Sequence, residues 1–331
     1  MSSILVSKTA PNAFPTLQEA ILSVDDCHTD TVTIHVDSGI YEEKVFIRKE
    51  NIEIIGRDPE TTIFRFGDGA RKLREDGGNE YGTFNTAVIL LAGKDITMKN
   101  ITIENTAGPG AAAGQALALF CGADRASFFN CRFIGYQDTI FAGEASGQRA
   151  KKLMLPDYFL NSKVSTDYPL LRNYFKDCYI SGDVDFIFGP NAVYFDHCTI
   201  FSRKRLSEAC SYITAASTPL GQEFGLVFSH CSLEGDDEKE TVYLGRPWRD
   251  YAKTAFLHCT MGPHIHPEGW HNWGKAKAEA NLNYVEYANC GPGAVSSKRA
   301  PFSKQLTNPE LEEYFSPENV LGGDDGWIPK P

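Results

Sequence analysis

The chain has 331 residues, 42% of them hydrophobic, and a formal net charge of −11. That charge argues against a nucleic-acid partner and against tight electrostatic anchoring to an acidic polymer. No stretch approaches the about 20 apolar residues of a membrane span. The composition predicts a soluble globular protein acting on neutral or neutralised groups.

The start, Met1-Ser-Ser-Ile-Leu-Val-Ser-Lys8, lacks the basic end and long apolar region of a signal peptide. The nine cysteines are odd in number and dispersed, which fits reduced thiols better than a disulfide framework. A cytoplasmic chain is therefore expected, or a secreted one if a leader has been trimmed away. No linker-like shift in composition divides the sequence, so one domain over 1–331 and a monomer are expected.

Thr16-Leu-Gln-Glu19 is a capping box opening an apolar-periodic segment of Leu17, Ala20, Ile21 and Val24. It predicts a helix covering the N-terminal end of whatever follows. From residue 32 to about 260 the sequence is a succession of short Val/Ile/Thr/Phe-rich runs punctuated by Gly, Asn or Asp. Superimposed on them is a loose repeat of an aromatic or Leu, one or two polar residues, Cys, and then an apolar residue. It is carried by Phe129/Cys131, Phe175/Cys178, Phe195/Cys198, Phe228/Cys231 and Leu257/Cys259. Irregularly spaced copies of one short strand predict coils of a solenoid. The fold class expected is all-β, a right-handed parallel β-helix with an N-terminal capping helix. The tail from Pro301 is expected to pack outside, with a helix-like stretch near 309–314.

Several motifs offer chemistry. Gly108-Pro-Gly110-Ala-Ala-Ala-Gly114 has the wrong spacing for a dinucleotide fingerprint and reads as a loop. His197-Cys198, His230-Cys231 and His258-Cys259 look like ligand pairs, but adjacent strand residues point to opposite faces. Stacked apolar thiols are the better account of them, and no metal is expected there or at His264-Ile-His266. Asp183 and Asp185, two apart, could share one strand face, but a calcium site needs more oxygen ligands.

Two aspartates stand out. Asp138 in Gly135-Tyr-Gln-Asp-Thr139 and Asp185 in Gly182-Asp-Val-Asp-Phe-Ile-Phe-Gly189 sit among apolar and aromatic residues, where a lone carboxylate is costly to ionise. Each could merely cap a turn; a pair held in different protonation states would instead do acid/base or nucleophilic work. Arg246 is braced in Leu244-Gly-Arg-Pro-Trp248, and Gln115 and Gln137 are amides in apolar surroundings.

Taken in order, these three motifs resemble those of pectin methylesterases (pectinesterases). Glu104-Asn-Thr-Ala-Gly108, Gln115-Ala-Leu-Ala-Leu119, Asp124–Phe133, Tyr284-Val-Glu-Tyr287 and Gly291-Pro-Gly293 extend the similarity over nearly the whole chain. The resemblance implies a right-handed parallel β-helix that removes methyl groups from methyl-esterified galacturonate units of pectin or oligogalacturonides, releasing methanol without metal or organic cofactor. By position it implies Asp185 as nucleophile, Asp138 as general acid then base, and Gln115 and Gln137 as oxyanion-stabilising amides. Arg246 would orient Asp185 and contact substrate, and Trp248 and Phe188 would stack on sugar.

Two departures qualify this. Asp138 and Asp185 lie 47 positions apart, a much longer gap than the family commonly shows. The excess, around 143–169, predicts a long loop beside the cleft that narrows it toward short oligogalacturonides. A Thr common in the family before Gln115 is Val88 here, so that substrate contact is not expected. The alternatives are a lyase or glycosidase on the same fold, separable by unsaturated products or new reducing ends, and an inactive carbohydrate-binding solenoid, which would have no need for this set of side chains.

Overall fold

The computed structural model describes residues 3–75, 77–145, 151–206, 209–236, 238–309 and 313–330. Among the described residues the strands form a branched 15-stranded sheet and an eight-stranded sheet. Every strand-to-strand ladder in both is parallel, and successive strands of one sheet come from successive coils. This is the right-handed parallel β-helix predicted from the repeat. The 15-stranded sheet splits into two faces. The strands Val45–Gly56, Ile89–Lys99 and Leu119–Phe129 each run through the split. Asn51, Asp95 and Arg125 turn that corner with φ near +55°, a conformation Asn and Asp tolerate best among residues with a side chain.

The core is a set of ladders. Phe128, Phe175, Phe195, Phe228 and Phe256 stack coil on coil with ring centres 4.4–4.9 Å apart. Each lies three positions before a buried thiol, so the true repeat is Phe-x-x-Cys. Phe129 and Leu257, which the sequence reading placed in the repeat, belong instead to an outer cluster with Tyr174 and Tyr194. The residue before each thiol (Asn130, Asp177, His197, His230, His258) adopts a left-handed φ of 49–54°. That conformation, rather than strand alternation, separates each His from its Cys. The imidazoles stack at 5.0 and 4.9 Å at the corner, while Cys198, Cys231 and Cys259 are buried in the core.

The helix Leu17–Ser23 forms as predicted, with the Thr16 hydroxyl accepting from the Glu19 N–H. Leu17, Ala20 and Ile21 face the core. Its first N–H groups also donate to the Glu43 carboxylate at 2.9 and 3.2 Å. An additional strand, Ser3–Val6, pairs with Val32–Val36 and starts the ladder earlier than the sequence suggested. No helix among the described residues is long and apolar enough to cross a membrane.

The C-terminal segment packs outside, but its helix is Pro317–Leu321; the stretch expected near 309–314 falls partly on 310–312, outside the described residues. Val320 and Leu321 enter the outer cluster. Arg172, buried at 6% exposure, pairs with Asp124 at 2.7 Å and with Asp325, and its Nη1 donates to the Leu321 and Gly322 carbonyls. Removing one partner of a buried pair strands the other charge. Arg172→Ala is expected to cost about 3 kcal/mol of stability, read as a lower denaturant midpoint.

Of the long loop, 146–150 lie outside the described residues. The remainder docks on the first coils. Phe159 is buried, Arg48 donates to the Val164 and Phe159 carbonyls at 2.7 and 3.0 Å, and the Tyr168 hydroxyl bonds Glu50 at 3.0 Å.

Candidate active site

The strands Ile140–Ala142, Val184–Gly189, Ser211–Ala216 and Val242–Gly245 stack side by side on the shorter face. This brings Asp138 and Asp185 to neighbouring coils despite their separation in sequence. The Asp138 N–H donates to the Val184 carbonyl at 3.0 Å, and the Asp183 N–H to the Tyr136 carbonyl at 3.1 Å. Gly182 makes that approach possible, since a Cβ there would lie 2.5 Å from the Tyr136 carbonyl oxygen. Asp138 and Asp185 have φ of 66° and 49°. The register between the strands of Val184 and Tyr212 shifts between Val184 and Ile187. Asp185 thus sits on a bulge, a device that re-aims one side chain out of a ladder. Asp183 lies at the bend before this strand rather than on its face, which removes the shared-face arrangement considered from sequence.

Arg246 follows the strand Val242–Gly245 and grips Asp185 with two bonds, Nε to Oδ1 at 2.8 Å and Nη2 to Oδ2 at 2.6 Å. Its guanidinium is sandwiched between the rings of Tyr212 and Trp273, 3.9 and 3.8 Å from their centres. A bidentate, doubly stacked guanidinium has little freedom. Arg246→Lys keeps the charge and loses the fork and both stacks. The expected cost in kcat/KM is about 2–3 kcal/mol, or roughly 30–150-fold, measured by ester turnover.

The two carboxyls differ in environment. Burial pushes the Asp138 carboxyl well above its ordinary range, and the negative charge on Asp185 adds to this. Burial raises Asp185 too, but the hydrogen bonds and charge of Arg246 pull it back. Asp138 is therefore the more readily protonated of the pair, which titrates as a unit.

A cleft of about 220 Å³ opens over them, lined by Gln115, Gln137, Phe188, Trp248 and Arg246, all singled out from sequence. Adjacent coils hold the two amides together, the Ala116 N–H donating to the Gln137 carbonyl at 3.0 Å. Gly110 lies under Gln137; a Cβ there would come within 2.4 Å of the side-chain Oε1. The supposed loop around it is a helical turn, Gly110–Ala113. Val88 is fully buried in the core and does not line the cleft.

Sequence reading missed Thr83, Phe84, Ala215 and Trp273 as lining residues, and Tyr212 as a brace for Arg246. Gly269-Trp-His-Asn-Trp273 held a weak signal, but nothing in it says which tryptophan is outside. Trp270 is 1% exposed and Trp273 37%. Among the described residues no group of His, Cys, Asp or Glu is arranged to hold a metal ion.

Comparisons with known proteins point to one family. The family profile described as Pectinesterase matches residues 3–149 and 166–324, leaving most of the long loop unmatched. Pectinesterase 31 of Arabidopsis thaliana is 34% identical over 94% of this chain and 90% of its own. Other plant relatives are longer. The chain spans 45% of one named probable pectinesterase/pectinesterase inhibitor 21 and 59% of pectinesterase 2 from Citrus sinensis. Among solved structures, pectin methylesterase from carrot superposes with a TM-score of 0.81 at 28% identity, covering 97% of this chain and 93% of that one. A pectin methylesterase in complex with a hexasaccharide gives 0.78 at 27% identity, covering 98% of both chains. With the family profile over most of its length and the fold shared with solved pectin methylesterases, the chain belongs to the pectinesterase family and is an esterase.

Proposed function

We propose that the protein hydrolyses methyl esters of galacturonate units in pectin or oligogalacturonides, with Asp185 as nucleophile and Asp138 as general acid and base. The observation that carries this reading is the fork of Arg246 on Asp185 beside a buried carboxyl, Asp138, held well above its ordinary range. A carboxylate is a weak nucleophile and must be ionised and fixed, which the guanidinium supplies. One Asp185 oxygen attacks the ester carbonyl carbon. The oxyanion that forms is met by the Gln115 and Gln137 amides, a kind of contact worth about 3 kcal/mol each.

The carbon–methoxide bond then breaks and Asp138 gives its proton to the leaving oxygen, so that methanol departs and an acyl-enzyme remains. Asp138, now a carboxylate, takes a proton from an attacking water. The bond to Asp185 breaks, the free galacturonate leaves, and both carboxyls return to their starting states. Phe188, buried, and Trp248, partly buried, line the cleft and supply its apolar surface for the sugar.

The test is product analysis on methyl-esterified polygalacturonate. Methanol release without new reducing ends or unsaturated products is expected; chain cleavage by either route would replace this reading with a glycosidase or a lyase.

A further inference from the structure

Phe84 lines the catalytic cleft, and the turn that carries it, Thr83–Asn85, has no buried residue of its own. The Phe84 ring packs against Phe141 and Phe120, with centres 4.9 and 6.0 Å apart. Apolar burial holds the ring to its cluster but is not directional, so it does not by itself fix where the turn stands. Two backbone bonds close the turn from within, the Asn85 N–H donating to the Gly82 carbonyl and the Thr86 N–H to the Thr83 carbonyl, both at 3.2 Å. Gly82, which leads into the turn, is exposed, with a φ of 72° and open space where a Cβ would be.

The tie to a fixed surface comes from the residue after Phe84. Asn85 Oδ1 accepts from the Met154 N–H at 2.7 Å, and Nδ2 donates to the Lys152 carbonyl at 3.3 Å and the Tyr81 carbonyl at 2.7 Å. One side-chain amide thus pairs with two backbone groups of the long loop, as a neighbouring strand would. On the other side, the Lys44 ammonium donates to the Asn85 carbonyl at 2.6 Å while paired with Asp68 at 2.8 Å. Lys152 and Met154 lie in 150–165, which the family profile leaves unmatched. Leu153 and Leu155, from the same segment, pack into the apolar cluster that also holds Phe84, Phe188 and Trp248. Among the described residues the loop lines no part of the cleft itself, so its hold on the cleft runs through Asn85.

We propose that Asn85 is a positioning residue through which the long loop sets the place of Phe84 over the cleft. This rests on the substrate class proposed above, in which Phe84 meets the sugar and takes no part in the bond-making steps. Releasing Asn85 lets the turn drift, while Asp138, Asp185 and Arg246, held on other coils, keep their geometry. The loss then falls on binding, and so on KM more than on kcat. A tie that served stability alone would leave KM unmoved.

Asn85→Ala is expected to raise KM for methyl-esterified oligogalacturonates about tenfold and to hold kcat within about threefold. The same change in a Phe84→Ala background is expected to cost less than about twofold, because the two residues act as one unit. From the loop side, Leu153→Ala combined with Leu155→Ala leaves Asn85 intact; it should raise KM in the same way and likewise lose its effect without Phe84. A structural readout that needs no turnover is hydrogen exchange on the whole protein. The Thr86 amide is expected to exchange about tenfold faster in Asn85→Ala, with the amides of the strand Leu119–Phe129 unchanged. An unchanged KM in Asn85→Ala, or losses that simply multiply in the double variant, would overturn the proposal. Absence of methanol from the parent would instead overturn the proposed function; exchange at Thr86 then decides the positioning role, and an unchanged rate there overturns it.

Discussion

Asp185→Asn is expected to lower ester turnover by about 10⁴-fold or more, the scale seen when a covalent nucleophile is removed, with little change in the fold. Asn matches Asp in shape and can still accept one bond from Arg246, but its amide oxygen cannot form and then release an acyl intermediate. The left-handed φ of 49° at this position is one that Asn adopts readily. The measurement is methanol release from a methylated oligogalacturonate, beside circular dichroism and a thermal melt. An equal melt with activity within tenfold of the parent would remove Asp185 from the role of nucleophile.

Asp138→Asn should cost about 10²–10⁴-fold on methyl esters, with a particular dependence on leaving group and pH. Methoxide leaves poorly unless protonated, whereas an activated aryl ester needs no such help; the loss on the aryl ester should be much smaller. The sign of the pH effect follows from the two environments. Turnover needs Asp185 ionised, so it rises as pH climbs through the lower titration of the pair. It also needs Asp138 protonated for the first step, so it falls as pH passes the upper one, which burial and the Asp185 charge place well above the ordinary carboxyl range. In Asp138→Asn the alkaline limb should vanish and the acidic limb remain. A variant that keeps a full bell would assign the upper limb to another group.

The repeat was legible because solenoid ladders write themselves into sequence. An aromatic and a thiol recur at each coil, and each must stack on its counterpart. Its register was misread at Phe129 and Leu257, since which of two adjacent apolar residues points inward depends on the corner residue, and a left-handed Asn or His is invisible in a pattern of polarity. The motif residues Asp138, Asp185, Gln115, Gln137 and Arg246 were legible because carboxylates, amides and a guanidinium among apolar neighbours are costly without partners. Tyr212 and Trp273 were not, because an aromatic residue in a β-rich chain looks the same whether it fills the core or stacks on a guanidinium.

The sequence by itself determined the parallel solenoid, its N-terminal helix and the inventory of reactive groups, all of which rest on local pattern and on motifs short enough to read along the chain. Only the tertiary structure decided how those groups relate. Stacking of coils carries Asp138 and Asp185 across their 47-residue separation, and the bulge at Asp185 turns it toward Arg246. The rings of Tyr212 and Trp273, from other coils, hold that guanidinium in place. Of the loop predicted to narrow the cleft, the described part anchors on the first coils and lines a cavity beside Trp248. Where a long insertion docks depends on which distant surface offers it bonds and apolar area, here Arg48, Glu50 and the outer face around Phe120, and no pattern within the insertion carries that information.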